Sequence, residues 1–278
     1  MNIQNALILL TGANGGIGSA IARRLAAAGA QLLLVGRSEI RLAVLIASLP
    51  CHGKPHVAVH ADITTAEGRA AIERALEDAK QPLDALINCA GISQFGLLAD
   101  TRPEAIERML ATNVSAPILL TQIGLRHLHP EAGRIINVGS TFGGIGYPGF
   151  SGYCASKYAL RGFTEALRRE LADAPLQVAY LAPRATRTAL NSDAVCAMNE
   201  SLGNAMDSPE RVAGEVELML RAKRMRNRAI GWPERLFLRV NALLPSLVDG
   251  ALRKPLARIK EFADPGREPS PPVPSPMS

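Results

Sequence analysis

Aromatic residues make up only 4% of this 278-residue chain, which leaves little for a base-stacking surface or the core of a β-sandwich. Cysteine is scarce too. Cys51, Cys89, Cys154 and Cys196 form no C-x-x-C pair, so a disulfide framework is excluded and a reducing cytoplasm is expected. The first residues lack a basic n-region, and their apolar run is far too short to span a bilayer, so they read as a first strand rather than a leader. No repeat of solenoid type is present.

The chain is 47% hydrophobic, enough for one large α/β domain with a buried core or at most two small ones. Its net charge of +6 is concentrated. Residues 221–260 hold eleven Lys or Arg against Glu234 and Asp249, a balance of +9 that leaves the rest near −3. The basicity therefore belongs to the C-terminal region.

Short apolar runs at 6–10, 31–35, 57–61, 85–88, 134–138 and 177–181 predict strands, with 229–232 as a last one. Helical spacing lies between them at 17–28, 39–49, 67–79, 103–128 and 152–172. Ser208-Pro209-Glu210 predicts a capped helix running to about Arg221. This alternation implies an α/β fold, a single Rossmann-like doubly wound parallel sheet with helices on both faces. The expected domains are 1–232 for this catalytic unit, 233–262 for a basic amphipathic helical extension, and 263–278 for a disordered Pro/Ser-rich tail.

The segment from Thr11 to Gly18 follows the first strand and opens a helix. Gly12 suits a tight turn, Gly16 a close approach to a pyrophosphate, and Gly18 close helix–strand packing, with the helix N-terminus facing the phosphates. The glycines fit both T-G-x-x-x-G-x-G and T-G-x-x-G-x-x-G. Arg37 follows the second strand, where an NAD-binding unit usually places an acid; it either pairs with a 2′-phosphate or is simply solvated.

Tyr153 and Lys157 are one turn apart on one helix face. A close ammonium favours the phenolate of a tyrosine, making it a workable acid/base for a carbonyl or alcohol. Ser140 lies just past a strand end, where open α/β sheets bind ligands. Taken with Asn88-Cys89-Ala90-Gly91, Asn113, Asp62-Ile63 and Pro183 through Thr188, the order and spacing resemble the classical short-chain dehydrogenase/reductase family over roughly residues 5–232. The resemblance also selects T-G-x-x-x-G-x-G.

By that resemblance Tyr153 is the general acid in reduction, Ser140 hydrogen-bonds the substrate oxygen, Lys157 binds the nicotinamide ribose and lowers the tyrosine pKa, and Asn113 holds a relay water. Gly12, Asn14, Gly16, Ile17 and Gly18 belong to the cofactor loop. Asp62 and Ile63 contact the adenine, Asn88, Ala90 and Gly91 line the cofactor cleft beside Pro183, and Thr188 meets the carboxamide. The resemblance implies hydride transfer to or from a carbonyl or alcohol. Arg37, with no acid after the second strand, selects NADP(H). The apolar stripe of the extension points to a hydrophobic substrate (a 3-oxoacyl, lipid-like or steroid-like ketone), which would place the protein in lipid metabolism. The alternative is a cofactor-binding regulatory or membrane-surface scaffold with little turnover. A homo-oligomer, dimer or tetramer, is implied.

Two residues depart from the family pattern: Cys89 replaces the second Asn of N-N-A-G, and Arg184 replaces the Gly of Pro-Gly. Arg184 could face substrate, pyrophosphate or solvent. Cys51, His52, His56 and His60 are not read as a metal site, because 56–61 alternates like a strand. In the extension, Leu236, Val240, Leu243, Leu244, Leu247, Val248, Ala251 and Leu252 share a helical stripe, and Pro245 should kink or split it. Through 233–260 this segment either lies peripherally on the inner face of a membrane or packs on the domain or a subunit. Nucleic-acid binding is not expected.

Overall fold

The computed structural model describes residues 1–263. Seven strands form one parallel sheet: β1 (Leu7–Thr11), β2 (Gln31–Gly36), β3 (Val57–His60), β4 (Ala85–Asn88), β5 (Arg134–Val138), β6 (Gln177–Ala182) and β7 (Arg228–Ala229), in the order β3-β2-β1-β4-β5-β6-β7. β1, β4 and β5 are buried along their whole length, as strands covered on both faces must be. The last strand is shorter than the predicted 229–232.

Alternating side chains divide the core. Ile8, Leu10, Leu32, Leu34 and Ile136 point to one side, toward α1 (Gly16–Ala27), α2 (Glu39–Ala47) and the late helix that carries Val212 and Val216. Leu7, Leu9, Leu33, Leu86 and Ile135 point to the other, toward α3 (Ala66–Asp78) and the helices after β4. The strand order reverses direction between β1 and β4, so their carboxyl ends open the crevice where ligands bind in such sheets.

The single helix expected over 103–128 is divided into α4 (Pro103–Leu110), a wider π turn (Ala111–Ser115) and α5 (Ala116–His127). Pro117 has no N–H for the carbonyl of Asn113, and its ring crowds that carbonyl, so a regular helix cannot continue there. α6 (Ser151–Glu170) follows β5 and α8 (Pro209–Arg221) precedes β7, with α8 capped by the Ser208 hydroxyl as expected. α7 (Asp193–Ser201), which the periodicity does not predict, lies between β6 and α8.

The extension forms α9 (Glu234–Leu243), α10 (Pro245–Arg253) and α11 (Leu256–Ala263). Pro245 opens α10, so the predicted split falls where expected, and a second break follows Arg253. Ile259 and Phe262 of α11 are buried against Val195 and Met198 of α7. Of the tail expected at 263–278, Ala263 closes α11 and is buried, while the rest lies outside the described residues. No described helix is long and apolar enough to cross a membrane.

Candidate active site

The glycine loop is tight because backbone replaces side chain at two points. Gly12 adopts φ +67°, and a Cβ there would lie 2.7 Å from the Cα of Ala90. A Cβ on Gly18 would lie 2.1 Å from the carbonyl oxygen of Gly12, so only glycine lets α1 begin this close to β1. α1 starts after Gly15 with no side-chain cap, leaving its first N–H groups to a ligand. Thr188 covers the loop from above, where a Cβ on Gly16 would meet its methyl group. The side chain of Asn14 packs over Gly36 at the end of β2. An uncapped helix start at the β1/β4 crevice, bordered by a glycine cradle, fits the pyrophosphate of a dinucleotide.

Asn113 and Ser140, from separate elements, are brought together with the Tyr153–Lys157 pair of α6. Gly91 lies between two of them: a Cβ there would be 3.3 Å from Asn113 Oδ1 and 3.4 Å from Lys157 Nζ. The π turn aims Asn113 inward, where its Oδ1 accepts from Ile92 N (2.9 Å) and its Nδ2 donates to Ile92 O (2.8 Å) and Ser156 Oγ (3.0 Å). Ser140 stands beside the Tyr153 phenol and favours its ionised form, and its Oγ accepts from Phe142 N at 3.1 Å. Lys157 Nζ donates to Val138 O at 3.4 Å and stands 5.6 Å from the centroid of the Tyr153 ring. Phe142 and Phe150 meet that ring edge-on, with centroids at 6.3 and 6.2 Å. Few as the aromatics are, they gather here.

The expected lowering of the tyrosine pKa by Lys157 is corrected by this geometry. Burial pushes the Tyr153 phenol up to about 12, against the opposing influence of Ser140. Burial also takes the Lys157 ammonium down to about 8, against the opposing influence of Cys89. Desolvation is the largest influence on both groups and disfavours the charged form of each.

A consequence for stability follows. The folded-state pKa of Lys157 lies below its unfolded value, so burying the ammonium costs stability fully below about pH 8. That cost is relieved as pH rises toward the unfolded value near ~10.4. Lys157→Met should therefore melt at a higher temperature than wild type at pH 7 although turnover is lost. Calorimetry should show the difference shrinking between pH 8 and about 10.5; a constant difference across that range would refute it.

Beyond the end of β2, hydrogen bonds from Thr64, helped by the charge of the exposed Arg37, hold the Asp62 carboxyl below the usual range. The Thr64 hydroxyl and N–H donate to Asp62 Oδ1 at 2.7 and 2.9 Å. Ile63 is buried beside them. Ile17, Gly91, Pro183 and Thr188 line the central cavity. The side chain of Asn88 does not: its Nδ2 donates to Asn137 Oδ1 (2.8 Å) and Thr121 Oγ1 (3.2 Å) in a buried polar ladder under the cleft.

The sequence reading passed over several residues. Thr11 Oγ1 accepts from the N–H groups of Cys89 and Ala90 at 3.0 and 3.1 Å, tying β1 to the loop after β4. The Tyr180 hydroxyl accepts from Ser140 N (3.0 Å) and donates to the carbonyls of Ser140 (3.1 Å) and Lys157 (3.3 Å). Its ring occupies the space that a Cβ on Gly139 would need. Glycines flanking a strand end were the available signal.

Arg184 faces neither solvent nor an open ligand space with its charge free. It binds Asp207 at 2.8 Å and Glu234, the first residue of α9, at 3.3 Å, and Asp207 also binds Arg211 at 2.7 Å. The cation clasps the start of the extension to the loop after β6. Held this way, α9 and α10 wall a cavity of about 610 Å³ with Phe237, Val248, Ala251 and Leu252. The cavity reaches Ser140, Tyr153 and Lys157 at its inner end.

The family model for short chain dehydrogenase matches residues 6–198. Dehydrogenase/reductase SDR family member 7B of Bos taurus is 34% identical over 80% of this chain and 72% of its own length. A 3-oxoacyl-[acyl-carrier-protein] reductase, FabG, of Vibrio cholerae is 34% identical over 66% of this chain and 74% of its own. Among solved structures, a short chain dehydrogenase from Burkholderia cenocepacia in complex with NADP superposes with a TM-score of 0.75 at 30% identity, covering 84% of this chain and 100% of that one. A 3-ketoacyl-(acyl-carrier-protein) reductase from Brucella melitensis complexed with NADH gives 0.74 at 26%, covering 84% and 99%. With this match, this sheet order and this constellation, the chain belongs to the classical short-chain dehydrogenase/reductase family and is an NAD(P)-dependent oxidoreductase acting on CH–OH or C=O groups.

Proposed function

We propose that the protein is an NADP(H)-dependent reductase of a hydrophobic ketone, with Tyr153 as the proton donor. The observation that carries the reading is the cavity of about 610 Å³, lined by Ile145, Phe150, Val195, Met198, Phe237 and Leu252, that ends at Ser140 and Tyr153. Such apolar residues desolvate an apolar chain, while Ser140 and Tyr153 at the inner end offer hydrogen-bonding groups to a carbonyl. The names of the Vibrio and Brucella relatives, both 3-oxoacyl carrier-protein reductases, support an acyl-chain ketone among the candidate substrates.

When bound, the nicotinamide would supply the hydride. This chain's residues do the rest. Ser140 holds the carbonyl oxygen, and the neutral Tyr153 phenol donates its proton to it as the alcohol forms. Lys157, cationic at neutral pH, stabilises the phenolate left behind and binds the ribose. Asn113 anchors the inner end of the proton path. Ile17 and Thr188, which line the cavity, would hold the cofactor, and Asp62 and Ile63 would take its adenine.

Arg37 supports NADP over NAD, because no acid stands at the end of β2 to hold a ribose 2′-hydroxyl. A charge-assisted pair with a phosphate makes Arg37→Ala weaken NADPH by roughly tenfold or more. NADH should change by less than about twofold in the same titration. Equal losses for both cofactors would refute the NADP reading. For the substrate class, NADPH oxidation is measured over ketones of increasing apolar chain length, and kcat/KM should rise with length. A flat or falling series would rule out the hydrophobic pocket as the substrate site, and no turnover with any ketone would favour a scaffold.

A further inference from the structure

The two helices that wall the cavity have an outer side that nothing in the described chain covers. At the corner between α9 and α10, Leu243, Leu244 and Leu247 are 80%, 55% and 60% exposed. Trp232 and Phe237, which line the cavity, are also exposed, so they belong to its rim. The apolar stripe expected from the sequence is thus divided: Val248 faces inward and is buried, while the leucines at the corner face out. Exposed leucines in this number on one corner mark a contact surface.

The charge around the corner states what kind of contact. Arg235, Arg239, Arg253 and Lys254 are exposed on the same two helices or just beyond α10. Glu234 is taken up by Arg184, which leaves Asp249 as the exposed acid against four cations. A second copy docked face to face about a twofold axis would set these cations against their own kind. An anionic bilayer is the complement: apolar side chains enter the boundary between headgroups and acyl chains while cations meet lipid phosphates.

We propose that the α9–α10 corner docks this protein on the surface of an anionic lipid bilayer, with the cavity rim at Trp232 and Phe237 beside the membrane. The docking does not depend on which ketone the cavity takes. It gives an apolar substrate dissolved in the bilayer a path to Tyr153 that avoids water.

The test is flotation of the full chain with vesicles of phosphatidylcholine alone and of phosphatidylcholine with phosphatidylglycerol. Wild type should float with the anionic vesicles, bind the neutral ones roughly tenfold less, and lose binding as salt rises. Leu243→Glu with Leu247→Glu, and separately Arg239→Glu with Arg253→Glu, should each lower anionic-vesicle binding by roughly tenfold or more. Both double variants should keep wild-type NADPH turnover of a water-soluble ketone, since none of the four residues lines the cavity. Absence of wild-type binding to the anionic vesicles overturns the proposal, as does full retention in either double variant. A dimer that the leucine variant dissociates, without vesicle binding, would assign the corner to a second copy instead.

Discussion

Tyr153→Phe should lower kcat by about three orders of magnitude while NADPH affinity stays within about twofold of wild type, because a positioned proton donor contributes on the order of 10²–10⁴ to such a reaction. The substitution removes one oxygen and keeps the ring, so the edge-on contacts with Phe142 and Phe150 survive. What is lost is the phenolic proton beside Ser140. The neutral phenol, held up near about 12 by burial, is the form that donates. Its role as acid should therefore persist across the neutral range, with loss of reductive rate from this group only in strongly alkaline solution. Single-turnover NADPH oxidation together with a binding titration separates the two quantities. A variant with wild-type turnover would remove Tyr153 from the chemistry.

The second large effect is expected at Gly18→Ala. A Cβ there would lie 2.1 Å from the Gly12 carbonyl oxygen and 3.0 Å from the Cα of Ala13, both on backbone that has no rotamer to yield. Either α1 moves off β1 or the turn at Gly12 opens. Overpacking against backbone costs about 3 kcal/mol or more, which for a domain of this size lowers Tm by roughly 6–12 °C. The same movement spoils the phosphate cradle, so NADPH should bind roughly tenfold or more weakly. Thermal melts with and without NADPH test both. An unchanged Tm would mean that the loop is looser than this contact requires.

Much of this site was legible because its signals are local. A four-residue spacing places Tyr153 and Lys157 on one face whatever surrounds the helix. Glycines at 12, 16 and 18 between an apolar run and a helical pattern already state that backbone must approach something closely. The alternation of short and long apolar segments leads to a parallel sheet, since successive parallel strands require crossovers. Even the break near Pro245 was visible, because proline cannot continue a helix. Pro117 carries the same warning inside the span 103–128, where the apolar periodicity runs on through it and hides the π turn that places Asn113.

What no window of sequence could show are the contacts between distant segments. Tyr180 holds Ser140 from a strand forty residues away, and Arg184 reaches fifty residues ahead to Glu234. The pKa of Tyr153 was misjudged for the same reason: proximity of a lysine is a sequence property, whereas desolvation depends on Phe142, Phe150 and the rest of the cavity wall. The extension read as an amphipathic helix with one apolar stripe. Only the fold shows that one part of the stripe closes the cavity and another faces outward. The residues and spacings of the sequence thus determined the sheet, the glycine loop and the placing of Tyr153 and Lys157 on one helix face. Tertiary structure decided the burial of that pair, the clasp on α9 and the shape of the cavity, because burial and long-range pairing arise only when the segments meet.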